Sequence, residues 1–505
     1  MKIRVIGGGL AGPEAALTAA RLGCRVDLYE MRAVVDGTPR LTPAHQTTDF
    51  GELVCSNSLK SESPHTAPWL LKQEMRHCGS ALLRIADETA VPAGHALAVD
   101  RVEFSRRISQ AIAAEMRIRV IREEVTSLEP PDGEIAATIV ATGPLTSDSL
   151  SREIERITGA GHLAFYDSIS PIVDADSIDM SRVYFAARWD KGTADYINCP
   201  MDHAEYDRFL DALLAAEAAE SKEWEKLDYF ESCLPIEVLA GRGRDTLRFG
   251  PMKPVGLRDP RTGKTPWAVV QLRKENLRAD SYNLVGFQNH LKFGEQARIL
   301  RLIPGLENAR FLRYGQIHRN TYICAPALLD ETLRLSPRAC HPERVREADE
   351  SKDLRFGPQP VCPIHSAPFA EWVGVEHSPH PILFAGQISG VEGYTESIAT
   401  GMLAGIYAAA LAHGQNPVPI PRSTALGSLV HYITHADPKN FQPANITFDL
   451  LEPLEEELRK KIRDKKERHR LQCERALAAF DTWWSACAKA AQRFSSANLD
   501  SIAAY

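Results

Sequence analysis

Two kinds of residue in this chain have the types and spacing for chemistry: a glycine-rich turn at the N-terminus and two thiols in polar surroundings. Gly7, Gly8, Gly9, Leu10, Ala11 and Gly12 satisfy G-x-G-x-x-G directly after the apolar run Ile3 to Ile6. In such a turn Gly7 permits the tight reversal and Gly9 lets the backbone approach a pyrophosphate. Gly12 lets the following helix pack on the strand with its amides facing the phosphates. Glu30 closes the unit, because an acid at the end of the second strand, about 20 residues past the glycines, accepts hydrogen bonds from an adenosine ribose. Cys55 lies in the polar segment TPAHQTTDFGELVCSNSLK, just ahead of Ser56, Asn57 and Ser58, which are predicted to cap a helix. Amides at a helix start lower a thiol's pKa and favour the nucleophilic thiolate. Cys233 sits beside Pro235 in ESCLPIEVLAGRG, whereas Cys24 reads as part of a core strand and Cys487 as part of a tail helix. A second glycine-rich junction, Gly386, Gly390 and Gly393, lies far down the chain. A long cofactor held at both ends suits this pair of junctions, which favours FAD over NAD.

These residues need elements to hold them. The apolar periodicity predicts a helix over Ala15 to Leu22 and a strand over Cys24 to Tyr29, so residues 1–32 read as a complete βαβ unit. Thr138 to Gly143 and Pro381 to Phe384 read as further strands, Ile108 to Ile118 as a helix, and Ser397 to Ala410 as a helix of small residues at packing spacing. Between residues 172 and 314 the texture changes, with strands at Tyr184 to Arg188 and Ala268 to Leu272 and an alanine-rich helix at Glu205 to Glu220. The expected fold is α/β: a Rossmann-like FAD-binding domain (1–171 and 315–450) with an inserted smaller α/β domain (172–314) and a C-terminal helical tail (451–505). Residues 337–379 are rich in proline and charge, with little hydrophobic periodicity, and read as a flexible surface insertion dispensable for chemistry. Arg242, Arg244, Arg248 and Lys253 cluster among Gly and Pro and are candidates for holding phosphates or an acidic substrate.

Composition sets outer limits. The 505 residues are 44% hydrophobic and 25% charged, ordinary for a globular protein, and the net charge of -7 excludes a generally basic nucleic-acid binder. A nucleic-acid partner must therefore be met by a local patch, such as the run Arg459 to Arg470. Much of the charge there is self-paired, since Glu455, Glu456 and Glu457 each precede a base by one helical turn. No apolar run approaches the ~20 residues that span a bilayer, and the chain opens into a strand rather than a signal peptide, so a cytoplasmic protein without a membrane partner is expected. The ten cysteines lack regular spacing and are expected to be free thiols. Cys340, His341, Cys362, His365, His377 and His380 match no compact zinc pattern, so no metal site is expected. The sequence carries no signal for a particular oligomeric state.

Several long strings together resemble the folate- and FAD-dependent tRNA (uracil-5-)-methyltransferases: GGGLAGPEAA, TPAHQTTDFGELVCSNSL, VPAGHALAVDR, YINCPM, ESCLPIEVLAGRG, GPMKPVGL, VVQLRKEN, RNTYICAPALLDETL, FAGQISGVEGYTESIATG and YITHADPKNFQPANI. The likeness covers residues 1–335 and 380–450. It departs from the family at the proline-rich segment Pro337 to Pro379 and at the helix beyond Glu452. The resemblance implies FAD as cofactor, 5,10-methylenetetrahydrofolate as one-carbon donor, NAD(P)H as reductant and methylation of the uridine at position 54 in the T-arm of tRNA. It also implies Cys55 and Cys233 as the working thiols. Which of them attacks the base is open; the preferred assignment gives Cys233 to the RNA and Cys55 to the flavin side. The alternatives are the related flavin- and folate-using family that modifies the tRNA wobble uridine, and a non-catalytic tRNA-binding flavoprotein. The segment Glu52 to Ser58 argues against the wobble-uridine family.

Overall fold

The structure is a computed structural model and describes residues 1–42, 44–159, 163–168, 170–190, 193–218, 234–315, 317–336 and 380–492. Cys233 and the proline-rich segment 337–379 lie outside the described residues.

The first thirty residues fold as their pattern dictates. Strand Lys2–Ile6, helix Ala11–Arg21 and strand Arg25–Tyr29 form a parallel βαβ unit, with Gly23 just past the helix at a φ of 89° that favours glycine. This pair becomes the centre of a five-stranded parallel sheet in the order Ile382–Phe384, Ile135–Val140, Lys2–Ile6, Arg25–Tyr29, Ile118–Ile121. Ile3, Val5, Leu28, Ile139, Leu383 and Phe384 are fully buried, as expected of strands covered on both faces. Helix Tyr394–Ala412 packs on helix Ala11–Arg21, and its small residues explain the closeness. A Cβ on Gly401 would stand 2.3 Å from the Ala11 carbonyl oxygen, and one on Gly405 2.7 Å from that of Ala15.

A second body is antiparallel. Its six strands run in the order Tyr184–Ala186, Tyr196–Met201, Ala268–Lys274, Ser281–Leu284, Ile172–Asp174, Phe311–Arg313. Helices His203–Leu214 and Phe293–Leu300 share its core through Tyr206, Phe209, Leu213, Ile299 and Leu300. A two-stranded antiparallel ribbon, Leu163–Ser168 with Ile317–Tyr322, links the two bodies where the chain leaves and returns.

Buried acids organise the helical layer. Glu14 accepts from the amides of Ala81 and Leu82 at 3.2 and 2.8 Å, and Glu74 from those of Ala425 and Leu426 at 2.6 and 2.9 Å. Each carboxylate thus sits at the positive end of a helix. Burial pushes the Glu74 carboxyl up to about 8 against the pull of those amides. The tail helix Lys465–Gln492 is docked rather than free: Cys473, Ala476, Phe480 and Trp483 are buried in the main core, and Trp483 Nε1 donates to the Val418 carbonyl at 2.9 Å.

Three local expectations are corrected. Ser56 to Ser58 cap no helix, because Ser58–Ser61 is a strand paired with Ala96–Val99 and the next helix begins at Ala67. The helix expected through Ile118 ends at Ala114, since Ile118–Ile121 satisfies its backbone by pairing with Val26 to Tyr29 at the sheet edge. Two of the four bases in the cluster are taken up by acids: Arg244 pairs with Asp207 and Asp211 at 2.8 and 2.7 Å, and Arg248 pairs with Asp245 at 2.7 Å while covering the Trp267 ring.

Candidate active site

At the carboxyl ends of the parallel strands lies a cleft of about 980 Å³, open mouth included, lined by Gly7, Gly8, Gly9, Glu30, Val54 and Tyr394 among others. Gly7 has a φ of 115°, and a Cβ there would meet the Ala141 carbonyl at 2.4 Å. A Cβ on Gly9 would meet nothing within 4 Å, so backbone and open space face one another where a phosphate group would approach. A Cβ on Gly12 would fall 1.8 Å from the Gly7 carbonyl oxygen, which is the close helix-to-turn packing its position implies. Leu10 and Ala11 also line the cleft, as does Gly386 from the second junction. Gly390 instead packs against Phe441, and Gly393 against Lys60 and Glu396. These two glycines shape the junction without lining the cleft.

Glu30 braces the turn as well as facing the cleft. Its carboxylate accepts from the Gly8 amide at 2.6 Å, the Arg32 amide at 2.8 Å and Arg32 Nε at 3.0 Å. Burial pushes this carboxyl up, but the Arg32 guanidinium and the two amides outweigh it and hold it below the usual carboxylate range. Arg32 reaches on to Glu52 at 3.4 Å. Glu52 in turn collects the amides of Gln46 and Thr47 and the Thr47 hydroxyl at 2.8 to 3.0 Å, stapling the segment that leads to Cys55.

The Cys55 loop is fixed from three further directions. The amides of Cys55 and Ser56 donate to the Tyr394 hydroxyl at 2.7 and 3.1 Å, so both acceptor positions of that oxygen are filled and its own proton remains free to donate. Burial, then the neighbouring Cys55, push the Tyr394 phenol up, which keeps it neutral. Arg101 donates from Nη1 to the Leu53 carbonyl and pairs through Nε with Glu275 at 2.8 Å, while its Nη2 is buried without a partner among the described atoms. Asn57, fully buried, donates to the Val99 and Lys274 carbonyls at 3.0 and 2.8 Å. Glu275 and Lys274 belong to the antiparallel body, as does Arg313, which donates to the Ala44 carbonyl at 3.0 Å. Both Arg101 and Arg313 interact electrostatically with Cys55, so two cations favour negative charge at this end of the cleft.

Cys55 is half-buried, and Val54 beside it lines the cleft. Cys24, Cys78, Cys199, Cys324 and Cys473 are buried, and burial pushes the Cys24 and Cys473 thiols up to about 11 and 12, as it also does Cys487 to about 11. Arg101, Glu275, Arg313 and Tyr394 carry no local sequence signal as site residues. Three of them lie in VPAGHALAVDR, VVQLRKEN and FAGQISGVEGYTESIATG, where each reads as an ordinary helix start or strand end.

Fold and site together define a class: a dinucleotide-binding α/β protein whose glycine-turn cleft runs up to a thiol loop braced by a second, antiparallel body. The family described as Glucose inhibited division protein A matches residues 2–339 and 376–416, breaking off inside the proline-rich segment. The methylenetetrahydrofolate--tRNA-(uracil-5-)-methyltransferase TrmFO of Koribacter versatilis (strain Ellin345) is 62% identical over 483 residues, covering 96% of this chain and 98% of that protein. The protein of the same name from Solibacter usitatus (strain Ellin6076) is 57% identical over 486 residues, covering 95% and 98%. Aquifex aeolicus GidA, solved in its form II crystal, shares the fold with a TM-score of 0.62 at 16% identity, covering 97% of this chain and 75% of that one. The chain belongs to the Glucose inhibited division protein A family and, within it, to the TrmFO family. No helix among the described residues is long and apolar enough to cross a membrane.

Proposed function

We propose that this protein is a methylenetetrahydrofolate-dependent tRNA (uracil-5-)-methyltransferase that carries FAD, draws reducing equivalents from NAD(P)H and acts on the uridine at position 54 in the T-arm. The observation that carries this reading is the 62% identity, over 96% of the chain, to a protein named for that activity. The cleft supports it, because Gly7 to Gly9 leave room for a pyrophosphate and Gly386 approaches from the second junction. Bound there, the flavin supplies the hydride that reduces a methylene carbon to a methyl group.

The chain's own residues supply the rest. Uracil C5 is a poor nucleophile until something adds to C6, and a thiolate is the usual agent. Cys55 is the first thiol of the proposal, supported by Arg101 and Arg313, which favour negative charge beside it, and by Tyr394, which holds its backbone. Cys233 is the second thiol of the proposal, and one of the pair adds to the base. The second body braces this loop from the far side, with the Lys274 carbonyl accepting from Asn57, Glu275 pairing with Arg101 and Arg313 donating to the Ala44 carbonyl.

Transfer of label from radioactive methylenetetrahydrofolate to an unmodified tRNA transcript tests the reading, with NADH and NADPH supplied in turn. Label in 5-methyluridine at position 54 is the expected result. Label at the wobble uridine, or none despite full flavin content, overturns it.

A further inference from the structure

At the C-terminal end of helix Ala425–His435, away from the cleft, His431 and His435 stand one turn apart with rings stacked at 4.3 Å between centroids. Glu331 brings a carboxylate oxygen to 3.5 Å from His435 Nε2. One ligand atom from each of the three residues lies within 4.8 Å of the other two. Thr434 sets the tautomer of the second ring. Its hydroxyl donates to the Val430 carbonyl at 2.8 Å, so its oxygen is left to accept from His435 Nδ1 at 2.9 Å. The lone pair of His435 Nε2 then faces a carboxylate, and two acceptors confronting each other are favourable only with a proton or a cation between them. Two imidazoles one turn apart plus a carboxylate are a donor set suited to zinc-class ions, whereas magnesium and calcium seek all-oxygen surroundings. An outer hydrogen bond orienting a ligating imidazole, the part Thr434 plays, is the usual companion of such sites.

We propose that Glu331, His431 and His435 bind one divalent ion of the zinc class, completed by water. Bonds of ~2.0–2.1 Å put tetrahedral ligands roughly 3.3 Å apart, so the three side chains must close by about 1.5 Å at most. Glu331 and His435 are exposed and turn without disturbing the core. None of the three lines the dinucleotide cleft, so the ion acts as a clamp and takes no part in the methyl transfer. It ties the helix whose start Glu74 caps to the segment that pairs with strand Ile382–Phe384 through the Leu335 amide, 2.8 Å from the Ile382 carbonyl.

The test uses the full chain, stripped with a chelator and titrated calorimetrically with zinc chloride. Wild type is expected to take up one tight equivalent that is weakened ~100-fold or more in the double variant His431→Ala/His435→Ala and ~10-fold in Glu331→Gln, effects at least as large as losing an outer-shell partner. Zinc should raise the thermal midpoint of wild type and leave that of the double variant unchanged. Flavin content and circular dichroism confirm that the variants fold. Cobalt(II) in the same site should give d–d bands without a thiolate charge-transfer band, which separates it from the cysteines. Zinc uptake that is the same in wild type and both variants, thiolate bands for the bound cobalt, or no uptake by wild type overturns the proposal.

Discussion

The glycine turn takes its geometry from its own βαβ unit, whereas the Cys55 loop is held by side chains arriving from 48 and 339 positions away along the chain and by a carbonyl 217 positions away that its own Asn57 reaches. In the turn the decisive facts are backbone facts: a positive φ at Gly7, a missing Cβ at Gly12, an amide of Gly8 facing Glu30. In the loop they are side-chain facts: Arg101 and Tyr394 bind backbone groups that the loop cannot satisfy alone, and the loop's Asn57 reaches out to the Val99 carbonyl. A local motif survives changes elsewhere in the fold. A loop assembled from afar responds to every body that braces it.

The largest expected effect falls on the local side of this comparison. Gly12→Val places a Cβ 1.8 Å from the Gly7 carbonyl, a backbone atom that cannot step aside, so the purified variant should be colourless or insoluble. Retention of full flavin would break the claim that the turn is built on missing side chains. Next comes the bridge between the bodies. Arg101→Met strands Glu275 in a buried site and frees the Leu53 carbonyl, which should cost about 3–5 kcal/mol in denaturant unfolding and depress methyl transfer while the glycine turn still binds flavin. Burial works against the Glu275 charge, but Arg101 holds its carboxyl below the usual range, so the loss should be evident at neutral pH.

Tyr394→Phe is a smaller cut. It leaves the Cys55 and Ser56 amides without their acceptor at about 1–3 kcal/mol for a buried group, so label transfer should fall by ~10- to 100-fold. An unchanged rate would show that the loop holds its shape without the phenol. Acid sharpens the comparison further. The folded pKa of Glu30 is depressed, so its contribution is present above the unfolded value of about 4.3 and is lost as pH falls through and below it. Flavin release from wild type should therefore begin below that pH, and Glu30→Gln should release flavin already at neutral pH with no further dependence in that window. Identical profiles for the two proteins would remove Glu30 from the turn.

The same contrast explains what was legible. Strand, glycine spacing, helix and terminal acid sit within residues 1–32, and short-range pattern suffices to read them. The loop around Cys55 was visible as a polar motif, but Ser56 to Ser58 looked like a helix cap because nothing nearby reveals that Asn57 is committed to Val99 and Lys274. Spacing marks Glu30 for a ribose, whereas its bonds to Gly8 and Arg32 depend on side-chain geometry that spacing does not carry. In the tail, the pairing of Glu456 with Lys460 was evident from the i, i+4 spacing. The stripe of Cys473, Ala476, Phe480 and Trp483 that docks the last helix was hidden among alanines and charges.

The central claim is that flavin binding and thiol chemistry are separate functions that share one cleft. Its most direct test measures flavin content and label transfer from methylenetetrahydrofolate to unmodified tRNA on the same preparation of Cys55→Ala. Full flavin with label transfer reduced by ~10³-fold or more is the result this structure predicts; transfer at the wild-type rate contradicts it.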